Sequence, residues 1–117
     1  MLKLTWHIAM AMLNSERRSM KLPKKIRVGR RLYRIHQVKQ IADGLMGEVD
    51  YDTKEIAVAT HSSLSGRRFK REEVMDTFWH ELTHAILKDM NHPYESNEKF
   101  VLEFSSRLTK AIQSARF

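Results

Sequence analysis

The sequence predicts an α+β fold, in which a small N-terminal β-sheet of two hairpins precedes two helices. Two observations support this: short alternating apolar and polar runs come first, and apolar residues recur at helical spacing from residue 71 onward. The chain has 117 residues and no evident linker, so we expect one domain. That domain should cover residues 20–117, with residues 1–19 as an N-terminal extension in which at most a short helix forms.

Four runs alternate between apolar and polar residues. They form two pairs, and turn-forming residues lie between the two runs of each pair. The first pair flanks Gly29-Arg30, and the second flanks the polar turn Asp52-Thr53-Lys54. We therefore predict two β-hairpins. Their strands are expected at residues 24–28 and 32–38, and at residues 47–50 and 56–59.

The remainder of the chain contains two helical segments. The first spans residues 71–90 and ends before Pro93, because proline cannot continue the hydrogen-bond ladder. The second begins near Ser96, a suitable N-cap, and runs to about Ala115. Residues at helical spacing, all of them apolar except Ser105, mark the expected buried faces. They are Met75, Phe78, Leu82 and Ile86 in the first helix, and Val101, Phe104, Ser105, Leu108 and Ile112 in the second.

Composition limits the possible metal ligands and the possible cellular location. The chain contains no cysteine, so any metal must be bound by histidine or carboxylate side chains. No apolar run reaches the roughly 20 residues that a membrane-spanning helix needs. Residues 1–13 lack the cleavage site of a secretion signal. We therefore predict a cytoplasmic protein with no membrane partner.

The formal net charge of +7 is concentrated in the first third of the chain. A basic patch attracts phosphate groups through counterion release, which makes nucleic-acid contact through the N-terminal region one expectation. A solvated basic face is the more common explanation, and no nucleic-acid-binding motif accompanies the patch. The basic residues are Arg17, Arg18, Lys21, Lys24, Lys25, Arg27, Arg30, Arg31, Arg34 and Lys39.

The run His80-Glu81-Leu82-Thr83-His84 is an HExxH motif in the middle of the first predicted helix. Residues i and i+4 lie about 40° apart around a helix, so both imidazoles can reach one metal ion. Glu81 projects beside them, where it can act as general base toward a zinc-activated water. We therefore predict a Zn²⁺ site with His80 and His84 as ligands and Glu81 as the catalytic residue.

A catalytic zinc site needs a third protein ligand, and His92, Glu95, Glu98 and Glu103 are the candidates that follow the motif. Glu98 precedes Val101 by three residues, so it should project from the buried face of the second helix, where a carboxylate needs a partner. Glu103 lies about 200° round from Val101 and should face solvent. His92 and Glu95 fall in the connection, where spacing does not direct them. Glu98 has an alternative role, as a first-turn glutamate that only suits the helix dipole.

HExxH on one helix with a glutamate on the next is the gluzincin ligand set. The stretch 46–112 resembles the minimal zincins of phage and prophage proteins, which are related in plan to the ImmA/IrrE metallopeptidases. The resemblance implies a zincin-like metallopeptidase with Glu98 as the third zinc ligand, acting as an endopeptidase on protein or peptide substrates. The segments that carry it are 47–50, 56–58, 77–87 (TFWHELTHAIL) and 97–101 (NEKFV).

The same resemblance implies further parts of a peptidase site. An extended substrate should add to a sheet edge, which we expect at the strand around residues 56–59. A donor should stabilise the oxyanion, and His61, His92 and Tyr94 are the candidates.

Two other functions remain open. In a SprT-like DNA-associated zinc protease, His92 would be the third ligand and the basic N-terminal hairpin would bind nucleic acid. In a non-enzymatic zinc-binding protein that retains the zincin fold, a closed site with four protein ligands would leave no place for an exchangeable water.

Overall fold

The computed structural model describes residues 22–116 and shows an α+β domain. A four-stranded sheet comes first and two helices follow, as the sequence predicts. The extension predicted for residues 1–19 lies outside the described residues. Neither of the two described helices is both long and apolar enough to cross a bilayer. The elements are β1 (Lys25–Val28), β2 (Arg31–Val38), a short 3₁₀ segment (Ala42–Gly44), β3 (Gly47–Asp50), β4 (Glu55–Ala59), α1 (Arg71–Asp89), a second 3₁₀ segment (Pro93–Ser96) and α2 (Glu98–Ser114).

Both predicted hairpins form, and a parallel contact joins them. β1 pairs antiparallel with β2, β3 pairs antiparallel with β4, and β2 lies parallel to β4. The order of strands in the sheet is therefore β1-β2-β4-β3. The hairpin turns contain Gly29 and Lys54, whose positive φ angles of 61° and 59° suit tight turns.

The expectation of a sheet edge at residues 56–59 is wrong, because the edge on this side is β3. β4 has a partner strand on both sides, and its Ile56 and Val58 side chains are fully buried. An apolar strand of this kind is typical of the centre of a sheet. β3 carries the exposed residues Glu48 and Asp50, and charged side chains are typical of an edge strand.

α1 covers one face of the sheet and forms the core with it. The buried apolar residues of the helix that join this core are Val74, Phe78, Leu82 and Ala85. Phe78 and Leu82 lie as predicted, whereas Ile86 is 43% exposed. Ile86 is rotated by about 100° from the buried Ala85, which turns its side chain away from the sheet.

α2 packs against α1 through small side chains, and the predicted apolar stripe is only partly correct. Val101 and Ser105 are fully buried, and Thr109 is nearly so. Phe104 and Ile112, predicted to be buried, are 47% and 41% exposed. Small residues at the contact let two helices approach closely, and the larger side chains then lie beside the contact rather than in it.

Side-chain hydrogen bonds fix the start and the middle of α2. Asn97, and not the predicted Ser96, is the N-cap, since its side-chain oxygen accepts from the Phe100 N–H at 3.0 Å. Ser96 ends the preceding 3₁₀ segment. Further along, Thr109 Oγ1 donates to Asp76 Oδ1 of α1 at 2.9 Å.

Glu73 caps the start of α1. Its carboxylate pairs with the Arg67 guanidinium at 3.0 and 3.1 Å and accepts from the Lys70 N–H at 2.9 Å. The hydrogen bonds from Arg67 and then from Lys70 lower the pKa of Glu73 to about 2. The carboxylate therefore stabilises the fold only while it is ionised.

We expect Glu73→Gln to lower the free energy of unfolding by about 1 kcal/mol near neutral pH, because the cap loses its charged acceptor. The pKa of Glu73 in the folded state lies below its ordinary value of 4.5. The difference in free energy of unfolding between the wild type and Glu73→Gln should thus be complete above about pH 5 and should vanish as the pH falls toward about 2. Urea unfolding over a pH series measures it. Glu72→Gln, in the same turn and exposed, is the matched control, and an advantage that does not change with pH would contradict the prediction.

Candidate metal centre

His80 and His84 lie one turn apart on α1, and their imidazole rings meet edge to face. The ring centroids are 5.1 Å apart. With Glu81 they form a group whose possible ligand atoms all lie within 4.8 Å of one another, which is close enough to hold one metal ion. Glu81 and His84 are buried and His80 is half-buried, so the group is accessible from the His80 side.

The first residue of α2 meets this pair of imidazoles. One carboxylate oxygen of Glu98 lies 2.7 Å from His84 Nε2, and the other lies 3.2 Å from His80 Nε2. Both histidines therefore direct the same ring nitrogen toward the same carboxylate. The Asn97 cap determines where the helix starts, and with it the position of Glu98.

The connection between the helices holds the other ring nitrogen of His84. His84 Nδ1 lies 2.8 Å from the main-chain oxygen of Glu95. A carbonyl oxygen can only accept, so Nδ1 carries a proton; when a metal ion lies between Nε2 and the Glu98 carboxylate, the ring is neutral and its Nε2 lone pair faces the ion. This is the tautomer that a metal ligand needs at Nε2.

Tyr51 anchors the segment that supplies this carbonyl. Its hydroxyl donates to Glu95 Oε1 at 2.6 Å. Burial raises the pKa of the Tyr51 phenol above its ordinary value, and the Glu95 carboxylate adds to the shift, so the hydroxyl stays protonated. The Glu95 side chain is thereby bound to Tyr51, while its main-chain oxygen orients His84.

Glu81 is the buried carboxyl group of the site, with only 7% of the residue exposed. Burial raises its pKa to about 7; the charge of His84 opposes the shift, and Glu98 and Glu48 add to it. No hydrogen bond within residues 22–116 contributes to this shift. A carboxyl group with a pKa near neutrality can both accept and return a proton.

Gly47 allows β3 to lie directly beside Glu81. A Cβ atom at this position would lie 2.5 Å from Thr77 Cγ2 and 3.1 Å from Glu81 Cγ. The first distance is well below van der Waals contact, so only glycine permits this approach of the edge strand to α1.

The free edge of β3 presents main-chain groups next to the site. The Ala59 N–H donates to the Met46 oxygen at 2.8 Å, and in an antiparallel pair only alternate residues bond to the partner strand. Glu48 lies two residues beyond Met46 in the register of β3 and β4, so it also bonds to β4. Gly47 and Val49 therefore direct their N–H and C=O groups away from the sheet.

The other predicted candidates make different contacts. His92 Nδ1 accepts from the Tyr94 N–H at 3.0 Å and so caps the second 3₁₀ segment. His61 Nδ1 lies 2.7 Å from Thr60 Oγ1. In the part of the chain that the structure describes, no hydrogen bond joins His61, His92 or Tyr94 to His80, Glu81 or His84. Glu103 is exposed, as predicted.

Three features of the site are absent from the sequence analysis: Gly47, Tyr51 and the main-chain oxygen of Glu95. A glycine inside a strand signals the close approach of a neighbour, so Gly47 could have been found. Tyr51 follows a strand, and nothing local indicates a partner 44 residues away. The Glu95 oxygen is a main-chain atom, for which residue type gives no signal.

Comparison with known proteins supplies no relative. The chain matches no protein-family model, no curated protein and no solved structure. The likeness to zincins therefore stays a prediction, and the function has to be inferred from the residues and geometry of the site.

Tyr51→Phe removes the hydroxyl that holds Glu95 and leaves the aromatic ring in place. We expect zinc affinity to fall about tenfold, because the carbonyl that orients His84 is then held less firmly. Competition with a chromophoric zinc chelator measures this. Tyr94→Phe is the matched control, since the Tyr94 hydroxyl makes no hydrogen bond within residues 22–116. Equal affinities for Tyr51→Phe and the wild type would show that the hydroxyl does not position the ligand.

Proposed function

We propose that this protein is a zinc-dependent endopeptidase of the zincin type. The observation that carries the proposal is the convergence of the Glu98 carboxylate on the Nε2 atoms of His84 and His80, at 2.7 and 3.2 Å. Two imidazoles and one carboxylate are a ligand set that zinc has in catalytic sites. The three donors come from two helices, so their meeting is a property of the tertiary fold and not of the motif alone.

Two carboxylates lie near the histidines, and we assign them different roles. The Glu98 side chain is 69% exposed and contacts both Nε2 atoms, which suits the third ligand of an accessible site. Glu81 is buried and makes no hydrogen bond to either histidine within the described residues. We therefore assign Glu98 as the ligand and Glu81 as the general base.

The donors fit zinc with one coordination position left open. The side chains of His92 and Glu95 form hydrogen bonds elsewhere, so with Glu81 assigned as the general base, His80, His84 and Glu98 are the donors that remain among residues 22–116. Zinc in proteins usually has four ligands, which leaves one position for an exchangeable water. This arrangement favours an enzyme over a structural zinc protein, whose site would be closed.

The chain's own residues then have distinct parts in peptide hydrolysis. Bound zinc supplies Lewis-acid activation of the water and of the scissile carbonyl. Glu81, buried beside the two histidines, would accept a proton from the attacking water and return it to the leaving amine. Gly47 and Val49 hold an extended peptide as an added strand along β3. Binding along a strand requires residues on both sides of the scissile bond, which favours an endopeptidase.

The SprT-like alternative has less support. Its third ligand would be His92, whose ring caps the 3₁₀ segment. Lys25 and Arg34 are exposed on the sheet face away from α1, but the same row of residues continues into Glu55, so the basic surface borders on acidic residues. Nucleic-acid contact and a cytoplasmic location stay predictions.

Metal content of the purified protein tests the ligand set. We expect about one zinc per chain in the wild type and loss of most of it in His84→Ala and in Glu98→Ala, because each variant lacks one of three ligands. Glu103→Ala, on the exposed side of α2, should retain the metal. Retention in Glu98→Ala together with loss in Glu81→Ala would assign the third ligand to Glu81 instead.

Cleavage of a quenched fluorescent peptide library tests catalysis. Glu81→Gln should keep its zinc and lose activity by about 10²–10⁴-fold, because the general base is removed. A zinc chelator should abolish the wild-type activity, and added zinc should restore it. A wild-type protein that holds zinc and cleaves nothing would favour the non-enzymatic alternative.

A further inference from the structure

A cleft of about 420 Å³ opens beside the candidate metal centre. It lies between the chain that leads into β3, the first half of α1 and the exposed face of α2. Residues from all three parts line it, among them Leu45, Met46, Asp76, His80, Glu81 and Leu102.

The cleft is continuous with the path that a peptide along β3 would follow. His80 and Glu81 form part of its wall, and so does Gly47, whose main-chain groups face the free edge. A peptide bound to Gly47 therefore directs a side chain next to its scissile bond toward this cleft. The residues of the cleft then decide which side chain is accepted.

The entrance of the cleft is apolar. Leu45 is 46% exposed and Leu102 is 56% exposed, although both are large aliphatic side chains that gain from being covered. Met46, which also lines the cleft, adds a flexible apolar surface. This lining suits the methylene groups of a long side chain.

The charge inside the cleft is negative and only partly neutralised. Glu73 is paired with Arg67 at 3.0 and 3.1 Å. Asp76 accepts a hydrogen bond from Thr109, but over residues 22–116 it has no lysine or arginine partner. Lys110 lines the neighbouring groove that Asp76 also borders, without forming an ion pair to it. Asp76 is thus a carboxylate available to a cationic ligand, in a chain of net charge +7.

We propose that this cleft is a specificity subsite for a lysine or arginine side chain adjacent to the scissile bond. The aliphatic stem would cover Leu45 and Leu102, and the cationic head would meet Asp76. A neutral side chain of equal length would fill the apolar part but would leave the Asp76 carboxylate partly desolvated without a cationic partner. The proposal rests on the peptidase function proposed above, because it concerns the specificity of the same site.

Peptide binding tests this subsite independently of turnover. Fluorescein-labelled alanine–serine peptides that carry one lysine, norleucine or glutamate are titrated with the zinc-loaded protein. Anisotropy is recorded before turnover, and mass spectrometry of the same mixtures reports cleavage. We expect the lysine peptide to bind about fivefold more tightly than the norleucine peptide, as for a partly exposed ion pair, and the glutamate peptide to bind most weakly.

Variants identify the residues that are responsible. Asp76→Asn keeps an acceptor for Thr109 and should bring the lysine-to-norleucine ratio close to one. Leu102→Lys places a positive charge at an exposed position of the cleft and should also remove the preference for lysine. This variant tests the subsite even if Asp76→Asn does not fold. Glu103→Gln removes a negative charge from α2 outside the cleft and should leave the ratio unchanged.

The results distinguish a failure of the subsite from a failure of the peptidase function. A lysine preference that Asp76→Asn abolishes, in a protein that cleaves no peptide, would support the subsite and contradict the peptidase function. Equal binding of lysine and norleucine peptides, binding of neither, or a ratio that Asp76→Asn leaves intact would overturn the subsite. An equal fall of the ratio in Glu103→Gln would overturn it too, since only the overall charge would then matter.

Discussion

The site depends on the contact between the first turn of α2 and the middle of α1. Glu98 reaches both histidines only because the two helices pack closely, and Ser105 and Thr109 make that packing possible. A larger residue at Ser105, which is fully buried, would separate the helices and move Glu98 away from α1. The convergence of the three polar groups thus depends on small residues that are themselves remote from the chemistry.

The short connection between the helices contributes as much as the helices do. Its Glu95 oxygen holds His84, and its Glu95 side chain is bound by Tyr51 at the end of β3. A continuous chain of hydrogen bonds therefore runs from the sheet through the connection to an imidazole of α1. Because of this chain, the buried His84 cannot rotate freely, and the sheet edge and the motif helix keep a fixed relation.

Local signals allowed most of the fold to be predicted, and long-range packing accounts for the errors. Alternation and helical spacing are local properties, so both hairpins and both helices were found within a few residues. The edge expected at residues 56–59 comes from the resemblance to zincins; strand order depends on long-range pairing, which places β3 at the edge instead. Phe104 and Ile112 were expected to be buried, but α2 contacts α1 along a narrow strip of small residues. The motif residues all lie on one helix, whereas Tyr51 and the Glu95 oxygen join the site only through the tertiary fold.

The site combines a rigid part with one adjustable side chain. His84 is buried and held at Nδ1, and Glu81 is buried against Gly47. Glu98 has a side chain that is 69% exposed, so it can change its rotamer at little cost while the histidines stay in place. Binding of a cation between α1 and α2 would then join the two helices and stabilise the fold by mass action, by about 4 kcal/mol when the free metal is a thousand times its dissociation constant. A chain with a modest core gains from such a link, since the groups proposed as metal ligands would also tie its two helices together.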